Sequence, residues 1–169
     1  HAYEQWGDEC MRRFRGMFAF AIWDSPRRRL LLVRDRLGVK PLYWTRAGSR
    51  LLFASEIKGI LQSGLITARP NAAVLPEVLA TRYTSGEETM FEGIHKLMPG
   101  HRLVFEQDEV RIQKYWDLPL DGPDPELERL DETALVDRFR DLLTESVRLR
   151  LMADVPLGMF LSGEIGRAH

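Results

Sequence analysis

Two stretches of this sequence gather residue types that could do chemistry. In Arg34-Asp35-Arg36-Leu37-Gly38-Val39-Lys40-Pro41-Leu42-Tyr43, Gly38 and Pro41 fix a loop between two apolar runs, across which Arg34, Asp35 and Lys40 can pair. An acid, bases and ordered backbone meeting in one place can bind or position a polar group. The plainer reading is a salt-bridged hairpin loop, and the residues alone favour it. In Leu161-Ser162-Gly163 an apolar run breaks into Ser-Gly. Backbone N–H groups exposed where a strand turns into a helix, with the helix dipole behind them, attract an anion such as a phosphate. An ordinary turn has the same spelling, so spacing leaves both readings open.

Other chemistry-bearing groups carry less. Cys10, the one cysteine, falls on a helical apolar face and reads as a small buried hydrophobe; no disulfide can form within the chain. That usage points to a reducing, cytoplasmic compartment. His95 and His101 flank the Pro99-Gly100 turn and read as solvated strand ends without ligand partners. No metal site is expected. With 169 residues, a net charge of -1 and no run of like charge, the chain has no footprint for nucleic acid or a membrane surface. Its apolar runs are too short to span a bilayer.

Positioning these residues takes a series of short elements. Tyr3, Trp6, Cys10, Met11 and Phe14 predict a helix over 2–14, interrupted at Gly7. Met17 to Trp23 is apolar throughout, as a strand covered on both faces would be. Leu30–Val33, Leu42–Trp44 and Leu51–Phe53 predict further strands in one antiparallel meander. Ser55 is placed to cap a helix ending before Gly64, and Asn71 one running from Ala73 to Tyr83 with Pro76 in its first turns. Strands return at Gly93–Met98, His101–Phe105 and Val110–Tyr115. The acidic, proline-rich stretch 117–131 reads as a linker. Leu135, Phe139, Leu142, Leu143 and Val147 then mark an amphipathic helix capped by Asp131 or Thr133, and Val155–Leu161 a strand opening a parallel α/β domain.

The order of motifs is recognisable. "GMFAFAIWD" from Gly16, "RDRLGVKPLYW" from Arg34, "FASEIKGIL" from Phe53, "MFEGIHKLMPGH" from Met90, "KYWDL" from Lys114 and "DVPLGMFLSG" from Asp154 together resemble the glutamine-hydrolysing asparagine synthetases, collinearly from Ala2 to Gly163. The resemblance implies an α+β fold. Residues 1–116 would form part of an αββα N-terminal-nucleophile sandwich, a glutaminase domain. Residues 117–131 would be the linker, and 132–163 the start of a parallel-sheet ATP-pyrophosphatase domain. It implies glutamine, aspartate and ATP as substrates of the parent protein, with magnesium, in an amide-forming ligation. Arg34, Asp35, Gly38, Lys40 and Pro41 carry the family loop motif; Leu161, Ser162 and Gly163 carry over as nucleotide-contacting positions. Oligomeric state is not written in the sequence, a homodimer standing as one option for the parent.

Departures from the family pattern limit what this chain is expected to do. The family's catalytic cysteine stands at the mature amino terminus, and Cys10 does not match it. No catalytic residue is therefore assigned, and the chain alone is expected to be inactive. Glu164 replaces the second glycine of the family's Ser-Gly-Gly loop, and facing a phosphate oxygen at about 4 Å it would cost roughly 1 kcal/mol in water and about 4 near a protein surface. Glu164 to His169 can be written GAG ATC GGA AGA GCA CAC, which looks like a sequencing-library adapter, so 164–169 is expected to be a non-native tail. A related amidotransferase resembling the β-lactam synthetases, or a non-catalytic interaction module, are the alternative readings.

Overall fold

The computed structural model describes residues 1–120, 122 and 124–158. The chain forms two units, His1–Leu118 and the residues from Pro119 onward.

In the first unit, helix α1 (Ala2–Trp6) runs into a 3-10 segment (Gly7–Arg13), with Gly7 at φ +55° where the geometry changes. The expected helix over 2–14 is thus α-helical for its first turn only. Seven strands follow: β1 (Ala19–Asp24), β2 (Arg29–Arg34), β3 (Tyr43–Ala47), β4 (Arg50–Ala54), β5 (His95–Lys96), β6 (His101–Glu106) and β7 (Glu109–Lys114). They build two antiparallel sheets, ordered β1-β2-β6-β7 and β4-β3-β5. This corrects the single meander expected from sequence. After β2 the chain leaves the first sheet through residues 35–42, and β2 takes β6 as its second neighbour instead of β3.

The pairing also moves the doubly covered strand. β1 lies on an edge, with Ala21 exposed and Trp23 57% exposed, so the uniformly apolar 17–23 run is not buried on both faces. β2 is. Leu31 and Val33 face a core with Met11, Val104 and Tyr115, against which Tyr3 and Phe20 pack. Leu32 faces a second core with Leu42, Leu97 and Leu103, which joins the two sheets. Burying such side chains contributes roughly 1.5–3 kcal/mol each. Arg29 pairs with Asp8, and Arg102 donates to the Asp8 carbonyl at 2.6 Å and to Glu9 at 2.8 Å, tying the 3-10 segment to the sheet.

Helix α2 (Ile57–Leu61) packs on β3 and β4; its N-cap is Glu56 without a side-chain bond, so Ser55 is not the cap. Asn71 does cap as expected, accepting from the Ala73 N–H at 3.2 Å ahead of a 3-10 turn (Ala72–Val74) and helix α3 (Leu75–Thr81). The expected strand Gly93–Met98 shrinks to His95–Lys96, with Gly93 turning at φ +71° before it; beyond it the Leu97 N–H still donates to the Leu42 carbonyl at 2.9 Å. His95 and His101 open strands as expected, but they are half-buried and have neighbours. His95 stacks on Trp44, ring centroids 5.1 Å apart, with Glu88 3.3 Å away, and His101 Nδ1 lies 2.7 Å from the Pro99 carbonyl.

In the second unit a 3-10 turn (Leu127–Arg129) interrupts the linker, and α4 (Glu132–Arg148) starts where Asp131 accepts from the Ala134 N–H at 2.8 Å. Val155 to Gly158 do not form a strand, because the described residues of this unit offer no strand to pair with. The rest of that expected strand, including Leu161, Ser162 and Gly163, lies outside the described residues, as does 164–169. Among the described residues no helix is long and apolar enough to cross a membrane.

Candidate functional site

The loop between β2 and β3 is where five of the singled-out residues meet. Asp35 is 1% exposed, and its carboxylate accepts four main-chain N–H bonds: Phe18 at 3.3 Å, Leu37 at 3.2 Å, Val39 at 3.0 Å and Lys40 at 2.9 Å. Its own backbone donates to the Phe18 carbonyl at 2.8 Å and accepts from Gly38 and Gly100. A buried carboxylate survives by such saturation, since an unsatisfied one would carry its full desolvation penalty.

Arg34 mirrors this arrangement with donors in place of acceptors. Its guanidinium donates to the carbonyls of Lys40 at 2.8 Å, Leu97 at 2.8 Å and Gly38 at 2.7 Å. The planar fork suits three fixed carbonyls. Burial pushes the Arg34 pKa down, with the neighbouring Asp35 charge opposing that shift. Acid and base therefore satisfy main chain and do not pair with each other, which corrects the salt-bridged reading. Lys40 takes part through its backbone; its side chain and Pro41 are exposed.

Gly38 is required by space as well as by conformation. At φ +67°, a Cβ there would lie 2.6 Å from Pro99 Cγ and 3.1 Å from the Arg34 guanidinium carbon. The Pro99-Gly100 turn closes on the loop from the other side. Gly100 sits at φ +66° with room for no side chain, the Trp116 carbonyl lying 2.4 Å from a built Cβ. Tyr115, 6% exposed, donates from its hydroxyl to the Arg34 carbonyl at 2.7 Å. Its pKa is pushed up to about 12, by burial first and by the Asp35 charge second.

Sequence reasoning missed Tyr115 and Gly100 as parts of this clamp. The signal was present in the "PGH" and "KYWDL" motifs, but nothing local to them says that they fold onto residue 35. Chemically the clamp is closed: every hydrogen bond described for the Asp35 and Arg34 side chains is to backbone, so it locks the crossing between the sheets and offers no free base. Cys10 is 1% exposed, and burial raises its thiol pKa, as for a packed side chain. No group of three His, Cys, Asp or Glu among the described residues could hold a metal ion. The Leu161, Ser162 and Gly163 corner is outside the described residues, so no geometry for a nucleotide is derived.

Known proteins share this arrangement of sequence. A family model for the glutamine amidotransferase domain matches residues 1–116, and one for asparagine synthase matches residues 138–165. Asparagine synthetase [glutamine-hydrolyzing] 3 of Bacillus subtilis is 39% identical over 165 residues, covering 96% of this chain and 26% of that protein. Amidase chry2 of Gibberella zeae is 39% identical, covering 96% and 24%. A putative asparagine synthetase [glutamine-hydrolyzing] 2 of Methanocaldococcus jannaschii is 34% identical, covering 95% and 31%. The chain spans 24% to 31% of the length of these relatives.

Proposed function

Because this chain belongs to the glutamine amidotransferase domain family, we propose that it is a section of a glutamine-hydrolysing asparagine synthetase. The parent reaction is ATP + aspartate + glutamine to asparagine + glutamate + AMP + pyrophosphate. One observation carries this reading: the amidotransferase and asparagine synthase matches occur in one chain, in that order, with relatives of the same name aligned across nearly all of it.

In this reading residues 1–116 belong to the glutaminase domain, 117–131 link, and 132–163 begin the synthetase domain. The Arg34, Asp35, Gly38, Lys40 and Pro41 loop holds two sheets of the glutaminase domain in fixed register, a positioning task. Leu161, Ser162 and Gly163 contact ATP in the parent, and magnesium balances phosphate charge there. The buried Cys10 takes no part in amide cleavage; the attacking thiol is supplied by another part of the parent. Residues 164–169 are a non-native tail, although the synthetase match reaches residue 165. The parent works in the cytoplasm, in keeping with a single cysteine.

The test is a comparison of two proteins. The 169-residue chain should release no ammonia from glutamine and show no ATP–pyrophosphate exchange, while the product of the full reading frame does both. Activity in the short chain, or none in the long one, contradicts the proposal. The similarity to amidases chry2 and chyE, at 39% and 38% identity, favours one second reading: an amidotransferase with another acceptor. Amide formation on a carboxylic acid other than aspartate, by the full-length protein, would select it.

A further inference from the structure

Away from the clamp, a cleft of about 350 Å³ opens between α3, β5 and the segment joining them, within the first unit. Its wall is apolar at Ile57, Val78 and Phe91, and its cationic members are Lys96 and Arg82. Lys96 is half-buried, its ammonium donating to the Thr84 carbonyl and, at 2.8 Å, to the Thr84 hydroxyl. Those bonds use two of its three donors and neutralise none of its charge.

No carboxylate among the described residues pairs with Lys96. Glu77 is the acid that acts on it, and that carboxylate is engaged by the backbone N–H and hydroxyl of Ser85. The half-buried Arg34 guanidinium adds like charge. Burial and Arg34 together hold the Lys96 pKa below the usual lysine range. A partly desolvated cation without a counter-charge, beside an apolar wall, is stabilised by an anion that brings its own apolar surface. The size also fits, since small-molecule sites begin near 300 Å³.

We propose that this cleft is a binding site for a small organic carboxylate, the carboxyl group on Lys96 and its apolar body against Val78 and Phe91. The site is separate from the reaction proposed above and stands or falls without it. Its occupant is recognised by charge, so a neutral amide of the same shape binds poorly.

Isotope-labelled 169-residue chain titrated with benzoate and, separately, benzamide tests this by NMR. Benzoate is expected to shift the Lys96, Val78 and Phe91 resonances saturably, and benzamide to bind at least about ten-fold more weakly. Lys96→Met should abolish the preference for benzoate, and Lys96→Arg should keep it. Equal binding of the two compounds, or no saturable shift with benzoate up to about 20 mM, overturns the proposal and leaves Lys96 as a staple for Thr84. Because the benzoate and benzamide comparison uses the unaltered chain, it decides the matter even if Lys96→Met does not fold.

Discussion

Asp35 organises its surroundings by accepting from four backbone N–H groups at once. Asp35→Asn removes the charge and turns an amide donor toward some of those N–H groups, so chemical denaturation should show a loss of about 3 kcal/mol. An unchanged urea midpoint would mean the clamp does not hold the fold. Gly38→Ala faces both a left-handed backbone and the Pro99 ring, whereas Gly48→Ala, at φ +62° with open space around it, faces only the backbone term. Gly48→Ala should cost roughly 1 kcal/mol, and Gly38→Ala roughly 1–3 kcal/mol more, from overpacking. Tyr115 adds a pH dependence. Its folded pKa, about 12, lies above the ordinary tyrosine value of 10.0, so the stability it contributes is fully present below pH 10.0 and is lost as pH rises through 12. An ultraviolet titration of tyrosinate, in which Tyr3 is also held above the ordinary range, should lose one late-ionising tyrosine in Tyr115→Phe; an unchanged titration would contradict this.

At the scale of elements, helix and strand existence was easier to foresee than partnership. The Asn71 cap, and Asp131 as one of the two cap options for α4, follow from local chemistry, and the structure has both. Pairing across sheets follows from long-range contacts, and there local reading fails. The 17–23 run suggested a doubly covered strand, yet the strand buried on both faces is β2, because β6 returns from about 70 residues later to flank it. Likewise the family motif at residue 34 was visible, but its crossed hydrogen bonds to Leu97, Gly100 and Tyr115 were not. Asp131→Ala should remove one bond from the start of α4 and about 1 kcal/mol of helix stability, read as roughly five-fold faster amide exchange in its first turn. Unaltered exchange would mean the side chain does not cap in solution.

For the whole molecule, the proposed account divides labour along the polypeptide. The first unit contributes a two-sheet body hydrogen-bonded at the Arg34–Pro41 crossing, while its lone thiol is buried and serves packing. Sequence order carried this part further than geometry could, since the proposed nucleotide corner at Leu161, Ser162 and Gly163 lies outside the described residues. The most direct measurement uses the full reading frame that contains this chain, supplied with ATP, aspartate and glutamine labelled with 15N in its side-chain amide. The account predicts asparagine carrying the label, with AMP and pyrophosphate released in equal amount. Unlabelled aspartate recovered intact, with no labelled asparagine formed, would contradict it.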